Sequence, residues 1–185
     1  LENFDLKAMG HNSADYLHVV TEAMKMAYAD RDSYYADTAV VKVPAKGLLS
    51  KEYAKARAGA INMGRAEPQQ IAGDPLQFDP DVKTWPYWIA NIADAVSTPP
   101  VSGDVDPTAG VVKETTHIAV IDRDGNVFDS TPSGAWLPTS VVLGSTGVMM
   151  SVRGESFWLD KTRAAQLRPR SRPRYTLTPS IILKD

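Results

Sequence analysis

The chain has 185 residues, 43% of them hydrophobic, which is enough for a sizeable core, and its formal charge of -2 argues against nucleic acid or anionic membrane as the main partner. It has no cysteine, which excludes disulfides and a thiol nucleophile. Its three histidines, His11, His18 and His117, stand in no HExxH or Cys/His spacing, so no metal or zinc site is expected. No apolar run is long enough to span a bilayer and no signal peptide is visible. The chain starts at Leu1 and stops at Ile181-Ile182-Leu183-Lys184-Asp185, which reads as an internal fragment cut off at a turn.

In chain order, residues 13–31 predict an amphipathic helix capped by Ser13, with Leu17, Val20, Met24 and Ala27 on the helical period as its inner face. The methionines are read as core filler. A second helix is expected after Ser50, with Tyr53, Ala56, Ala60 and Ile61 inward. From Glu67 to Lys113 prolines at 68, 75, 80, 86, 99, 100 and 107 predict a long loop, which Trp85-Pro86-Tyr87-Trp88 would anchor by packing. Strands dominate afterwards. Thr116–Asp122 and Asn126–Thr131 predict a hairpin turning at Asp124-Gly125. Ser140–Val152, broken by Gly144 and Gly147, predicts a further strand pair. Lys161–Arg174, with six basic residues and two prolines, reads as a solvated loop, and Pro179–Lys184 as a final strand. Helices first and strands later indicate an α+β architecture.

Glu114-Thr115-Thr116-His117 is the segment with chemical potential. A cut before Thr115 would give one residue both a nucleophilic hydroxyl and a free α-amine. Such an amine has a pKa of ~7.7–8.0, so on the order of a tenth of it is unprotonated at neutral pH and can act as base for its own side chain. Taken alone, a threonine heading a run of β-branched residues is more often simply a strand. No G-x-S-x-G elbow or phosphate-cradling Gly-Lys-Ser/Thr loop competes with it, and His117 reads as a core or supporting residue rather than a general base.

The surrounding residues carry more. Glu114-Thr115-Thr116-His117-Ile118-Ala119-Val120-Ile121-Asp122, followed by Asp124-Gly125-Asn126-Val127, resembles the start of the small subunit of γ-glutamyltranspeptidases. The resemblance continues in Leu1-Glu2-Asn3-Phe4-Asp5-Leu6, Ala27-Tyr28-Ala29-Asp30-Arg31, Val41-Lys42-Val43-Pro44, Arg172-Pro173 and Leu177-Thr178-Pro179-Ser180. It covers most of the chain outside residues 66–110. It implies a fragment of the four-layer αββα sandwich of N-terminal nucleophile hydrolases. Residues 1–114 would be the C-terminal part of the large subunit, and residues 115–185 the N-terminal part of the small one, the two pairing after cleavage.

By the same resemblance Thr115 is the nucleophile and Glu114–Thr115 the self-cleavage point. Thr116 is a rival displaced by one residue from the family's position. Thr131 or Ser133 would orient the amine, Ser133 falling where the family has its second threonine. A polar turn is the alternative reading of that segment. Substrate contacts would come from Arg153, Glu155, Ser156, Tyr175 and Thr176; the alternative reading of Arg153 and Glu155 is a pair of surface charges. Here the chain departs from the family: Tyr175-Thr176 replaces a serine pair, and an expected asparagine is replaced within Gly134-Ala135-Trp136. These departures put γ-glutamyl specificity in doubt and point to a divergent branch.

The implied activity is that of a γ-glutamyltransferase or hydrolase made as a zymogen, acting on a γ-glutamyl or related small amide without a cofactor. The implied setting is glutathione metabolism in a periplasmic or secreted compartment. The family's oxyanion glycines would lie beyond Asp185, so residues 1–185 alone would be a poor catalyst. Two other readings stand beside this one: a catalytically inactive member binding small peptides or amides, and an acylase for another carboxylated amide.

Overall fold

Ser13 and Ser50 start the two main helices, each by accepting a hydrogen bond from the backbone N–H three residues on, Tyr16 and Tyr53, both at 3.1 Å. Such caps are worth about 1 kcal/mol each. The computed structural model describes residues 1–69, 71–90, 115–132, 141–147, 150, 152–175 and 177–182. Its elements are α1 (Leu6–Met9), α2 (Ala14–Tyr34), α3 (Ala45–Leu48), α4 (Lys51–Gly59), β1 (Ile118–Ile121) and β2 (Val127–Ser130). Short 3-10 turns lie at Pro75–Gln77 and Val152–Ser156. The architecture is mixed α and β. Two compact units are formed, Leu1–Ser102 with Trp158–Arg172, and Gly103–Phe157 with Pro173–Asp185.

In the first unit α2 lies where its sequence predicts, but with another face inward. Val19, Glu22, Ala29, Asp30, Ser33 and Tyr34 are buried, whereas Leu17 and Met24 are 51% and 50% exposed, and Ala27 is exposed too. The reason is the loop that follows α4. Its backbone needs partners, and the polar side of α2 supplies them. Asp30 Oδ1 accepts from Gly73 N at 2.8 Å, the Tyr34 hydroxyl donates to Gly73 O at 2.8 Å, and Ser33 Oγ accepts from Ala90 N at 2.9 Å.

Helix α4 is rotated likewise. Tyr53 is buried as expected, but Ala56 and Ala60 are exposed and Ile61 only half-buried. Arg57 turns inward instead, 3.4 Å from Asp30 Oδ1, and donates to the carbonyls of Met26 and Ile71 at 3.3 and 2.7 Å. Burial pushes the Asp30 carboxyl above its usual range, with Arg57 and the donors from Gly73 and Tyr53 opposing that rise.

Helix α3 packs on the Pro75–Gln77 turn around Asp79. This buried carboxylate accepts backbone N–H groups from Gly47 (2.8 Å), Asp81 (2.9 Å) and Val82 (2.9 Å). Burial alone would raise its pKa, but these donors outweigh it and hold the group below the usual carboxylate range. Gly47 is required here, since a Cβ would stand 2.1 Å from Pro75 O.

The aromatic run anchors the loop as its sequence predicts. Trp85 packs against Tyr34 and Tyr87, with ring centroids 5.2 and 5.1 Å apart. The basic segment that reads as a solvated loop is different in one respect. It lacks regular structure, but Arg163 is only 5% exposed, with its guanidinium 3.3 Å from the Trp88 ring centroid and 4.5 Å from that of Trp158. Trp88 N donates to Thr162 O at 2.9 Å, which locks the arrangement. A guanidinium is weakly hydrated and stacks on indole faces, so burial between two of them is favourable.

In the second unit β1 and β2 form the hairpin that the sequence predicts. Of the further strand pair expected over Ser140–Val152, the described part holds a turn with Gly144 and Gly147 at positive φ, a bridge residue at Val142 and a bond from Met150 N to Val141 O at 2.8 Å, while residues 140, 148, 149 and 151 lie outside the described residues. Pro179–Ile182 are irregular, with Ile181 and Ile182 exposed. A strand requires a paired neighbour, and none is provided to this segment among the described residues.

Candidate active site on the hairpin

The hairpin forms because β-branched and aromatic residues favour its arms, Ile118-Ala119-Val120-Ile121 and Val127-Phe128, and because Asp122 organises the turn between them. Asp122 Oδ1 accepts from the N–H groups of Asp124 and Asn126, both at 2.9 Å, and Oδ2 from Asn126 Nδ2 at 2.7 Å. The Asn126 side chain, then its backbone N–H, holds the Asp122 carboxyl below the usual range against slight desolvation. Gly125 takes φ 82°, which a residue with a Cβ adopts only under strain.

The antiparallel register pairs Ile118 with Ser130, Ala119 with Asp129, Val120 with Phe128 and Ile121 with Val127. Two further backbone bonds extend the same register, from Asp122 N to Asn126 O and from Thr116 N to Pro132 O, each 3.0 Å. His117 therefore faces Thr131. By strand alternation Thr115 is the next residue on that face, beyond His117 and on the side away from the turn. Thr115 is exposed and Thr131 half-buried.

Of the two readings of His117, core or supporting residue, exposure excludes the core one. Its side chain is 58% exposed, and its Nε2 lies 2.8 Å from Oδ2 of Asp129, whose side chain is only 10% exposed. Asp129 was not anticipated as a functional residue. Its signal lay in the hairpin register, which sets it diagonal to His117 on the same face.

The structure thus brings Thr115 and Thr131 to one end of the hairpin. Glu114, Ser133 and Thr176 lie outside the described residues. Arg153, Glu155 and Ser156 sit on the Val152–Ser156 turn, with Arg153 half-buried and Glu155 exposed. The Ser156 hydroxyl lies 2.8 Å from Arg153 O and 3.2 Å from Arg174 O, which fastens the turn to the segment before Tyr175. Tyr175 is 66% exposed. Among the described residues no cluster of histidines and carboxylates could hold a metal ion, and no helix is long and apolar enough to cross a membrane.

The family model described as Gamma-glutamyltranspeptidase matches residues 1–185. The chain belongs to the γ-glutamyltranspeptidase family. Among curated relatives, it is 31% identical over 196 residues to the glutathione hydrolase proenzyme of Escherichia coli (strain K12), a match covering 100% of this chain and 29% of the relative. It is 30% identical over 186 residues to the acylase ACY 1 proenzyme of Pseudomonas sp. (strain SE83), covering 100% of this chain and 27% of that protein. Among solved structures, that of LmbA2991T421A matches with a TM-score of 0.62 and 33% identity, over 88% of this chain and 26% of that one. This γ-glutamyltranspeptidase-family chain therefore spans under a third of the length of these relatives.

Proposed function

We propose that Thr115 is the nucleophile of a self-cleaving amide hydrolase or acyltransferase, and that the Glu114–Thr115 bond is the one cut. The observation that carries this reading is an exposed threonine heading a hairpin in a chain that the family model matches throughout. Residues 1–114 and 115–185 would then belong to a large and a small subunit that stay paired, within a four-layer αββα sandwich.

After the cut, the Thr115 amine takes the hydroxyl proton as Oγ attacks the substrate carbonyl. The amine passes that proton to the leaving nitrogen, and an acyl ester remains on Oγ. Water or an acceptor amine then releases the acyl group and restores the hydroxyl. Thr131 or Ser133 orients the amine. Arg153 would pair with a substrate carboxylate through its planar fork, and Glu155 with an ammonium. Ser156, Tyr175 and Thr176 complete the proposed substrate contacts. The reaction requires no cofactor.

Relatives named for glutathione hydrolysis and for acylase activity match at 31% and 30% identity, so the substrate class is a small amide bearing a carboxylate, γ-glutamyl or other. The intact mass of the full protein after incubation, beside Thr115→Ala, tests the reading. Cleavage only in the unsubstituted protein, with Thr115 as the new terminus, is expected. A single uncut chain in both would move a non-catalytic binding role to first place. A panel of γ-glutamyl and other carboxylated amides then separates transpeptidase from acylase.

A further inference from the structure

Before the cut, the nitrogen of Thr115 belongs to a peptide bond. Its lone pair is delocalised into the carbonyl and cannot accept a proton. The base that serves the mature residue is therefore missing at the moment when the hydroxyl must first attack. Another group has to take that proton.

The face of the hairpin that carries Thr115 also carries His117, Thr131 and Asp129. A threonine hydroxyl is far too weak a base near neutral pH. Asp129 is nine-tenths buried and stands two strand positions further from Thr115 than His117 does. His117 is the neighbour of Thr115 on that face, it is largely exposed, and imidazole is the side chain that exchanges protons most readily near neutrality.

Asp129 also differs from other well-held carboxylates among the described residues. Both oxygens of Asp30, Asp79 and Asp122 accept hydrogen bonds from surrounding backbone or side chains. Among the described residues, Asp129 Oδ2 meets only the imidazole and its buried Oδ1 has no partner. A buried carboxylate so placed suits an imidazole that must gain a proton. An ionised carboxylate only accepts, so the hydrogen bond places the imidazole proton on Nε2 and leaves the lone pair on Nδ1.

We propose that His117, held in this tautomer by Asp129, is the base for self-cleavage of the chain. The inference rests on Thr115 being the nucleophile. In the step, Thr115 Oγ bonds to the carbonyl carbon of Glu114 while its proton passes to His117 Nδ1. The carbon–nitrogen bond to Thr115 then breaks, and His117 returns the proton to that nitrogen, which becomes the free amine. The resulting ester between Glu114 and Thr115 Oγ is opened by water, which restores both the carboxyl group and the hydroxyl. Asp129 is a positioning residue that also stabilises the transient imidazolium.

The test follows the intact mass of the full-length protein with time, for the unsubstituted chain and for Thr115→Ala, His117→Ala, His117→Gln and Asp129→Asn. Thermal midpoints are measured alongside, and His117→Gln serves if His117→Ala does not fold. Both His117 variants are expected to slow cleavage about 10²–10⁴-fold, the range of general-base catalysis. Asp129→Asn should slow it less. Added imidazole should restore cleavage in His117→Ala in proportion to its concentration, and should leave Thr115→Ala uncut. Cleavage of folded His117 variants within a few-fold of the unsubstituted rate would overturn the proposal. So would slow cleavage of folded His117→Ala that imidazole does not lift. Cleavage of Thr115→Ala at the same bond would instead overturn the nucleophile assignment itself, an outcome visible before any His117 variant is considered.

Discussion

The hydroxyl of Tyr53 donates to Oδ2 of Asp30 at 2.7 Å, joining α4 to α2 through a carboxylate that also holds Gly73 and Arg57. Burial also raises the Tyr53 hydroxyl above its ordinary pKa, and Asp30 adds to that rise, so the phenol stays protonated and continues to donate. Tyr53→Phe leaves a buried acceptor short of one donor and is expected to cost about 1–3 kcal/mol. Chemical denaturation of the two proteins measures it.

Arg57→Met should cost more at neutral pH, about 3–5 kcal/mol, because Asp30 is then a buried charge without its cation. The pH dependence has a definite sign. The Asp30 carboxyl is raised by burial, so its favourable contribution is present below the ordinary aspartate range and is lost as pH rises through the raised value. Removing Arg57 raises it further. The deficit of Arg57→Met relative to the unsubstituted protein should therefore shrink on acidification, which thermal melts across pH would record.

Asp79 behaves in the opposite sense. Burial opposes its ionisation, but the N–H groups of Gly47, Asp81 and Val82 prevail and lower its pKa. Its contribution is therefore present above the ordinary aspartate range and is lost as pH falls towards the depressed value. Asp79→Asn should flatten this acid limb of the stability profile, and Asp79→Ala should lower the midpoint at every pH by leaving those donors unpaired.

Gly47→Ala is expected to destabilise by about 1–3 kcal/mol, as other overpacking changes do. The clash is with the backbone oxygen of Pro75, 2.1 Å from the added carbon, and a backbone atom cannot rotate away. Gly59→Ala, with nothing within 4 Å of the added carbon, is the control, and its thermal midpoint should hold or rise.

Arg163→Leu keeps an apolar stem but removes the cation between Trp88 and Trp158. A cation over an aromatic ring contributes about 0.5–2 kcal/mol, more when desolvated. The variant should melt earlier and show altered tryptophan fluorescence. An unchanged melting midpoint would mean that the indoles close equally well on leucine.

Local physics made part of this chain legible. Ser13 and Ser50 announced their helices because a hydroxyl at that position satisfies an orphan N–H without help from distant residues. Asp122-Arg123-Asp124-Gly125-Asn126 announced the hairpin because the turn is closed by its own side chains. The paired strands then placed Thr131 near Thr115 by register alone. The inner faces of α2 and α4 were not legible, because apolar periodicity assumes that the helix buries its greasiest side. Here the loop through Gly73 and Ala90 required polar partners instead.

The sequence by itself determined the element types at both main helices and the hairpin, the threonine that precedes β1, and the family, since these depend on short runs of residues. Only the tertiary structure decided that Asp30 would be buried beneath Tyr53 and Arg57, that Arg163 would lie between two indoles, and that Asp129 would hold His117. Asp30 and Tyr53 lie 23 positions apart, Trp88 and Arg163 75, and His117 and Asp129 12, and a side chain's partner across such a gap is set by packing and hydrogen-bond demand rather than by its neighbours in the chain.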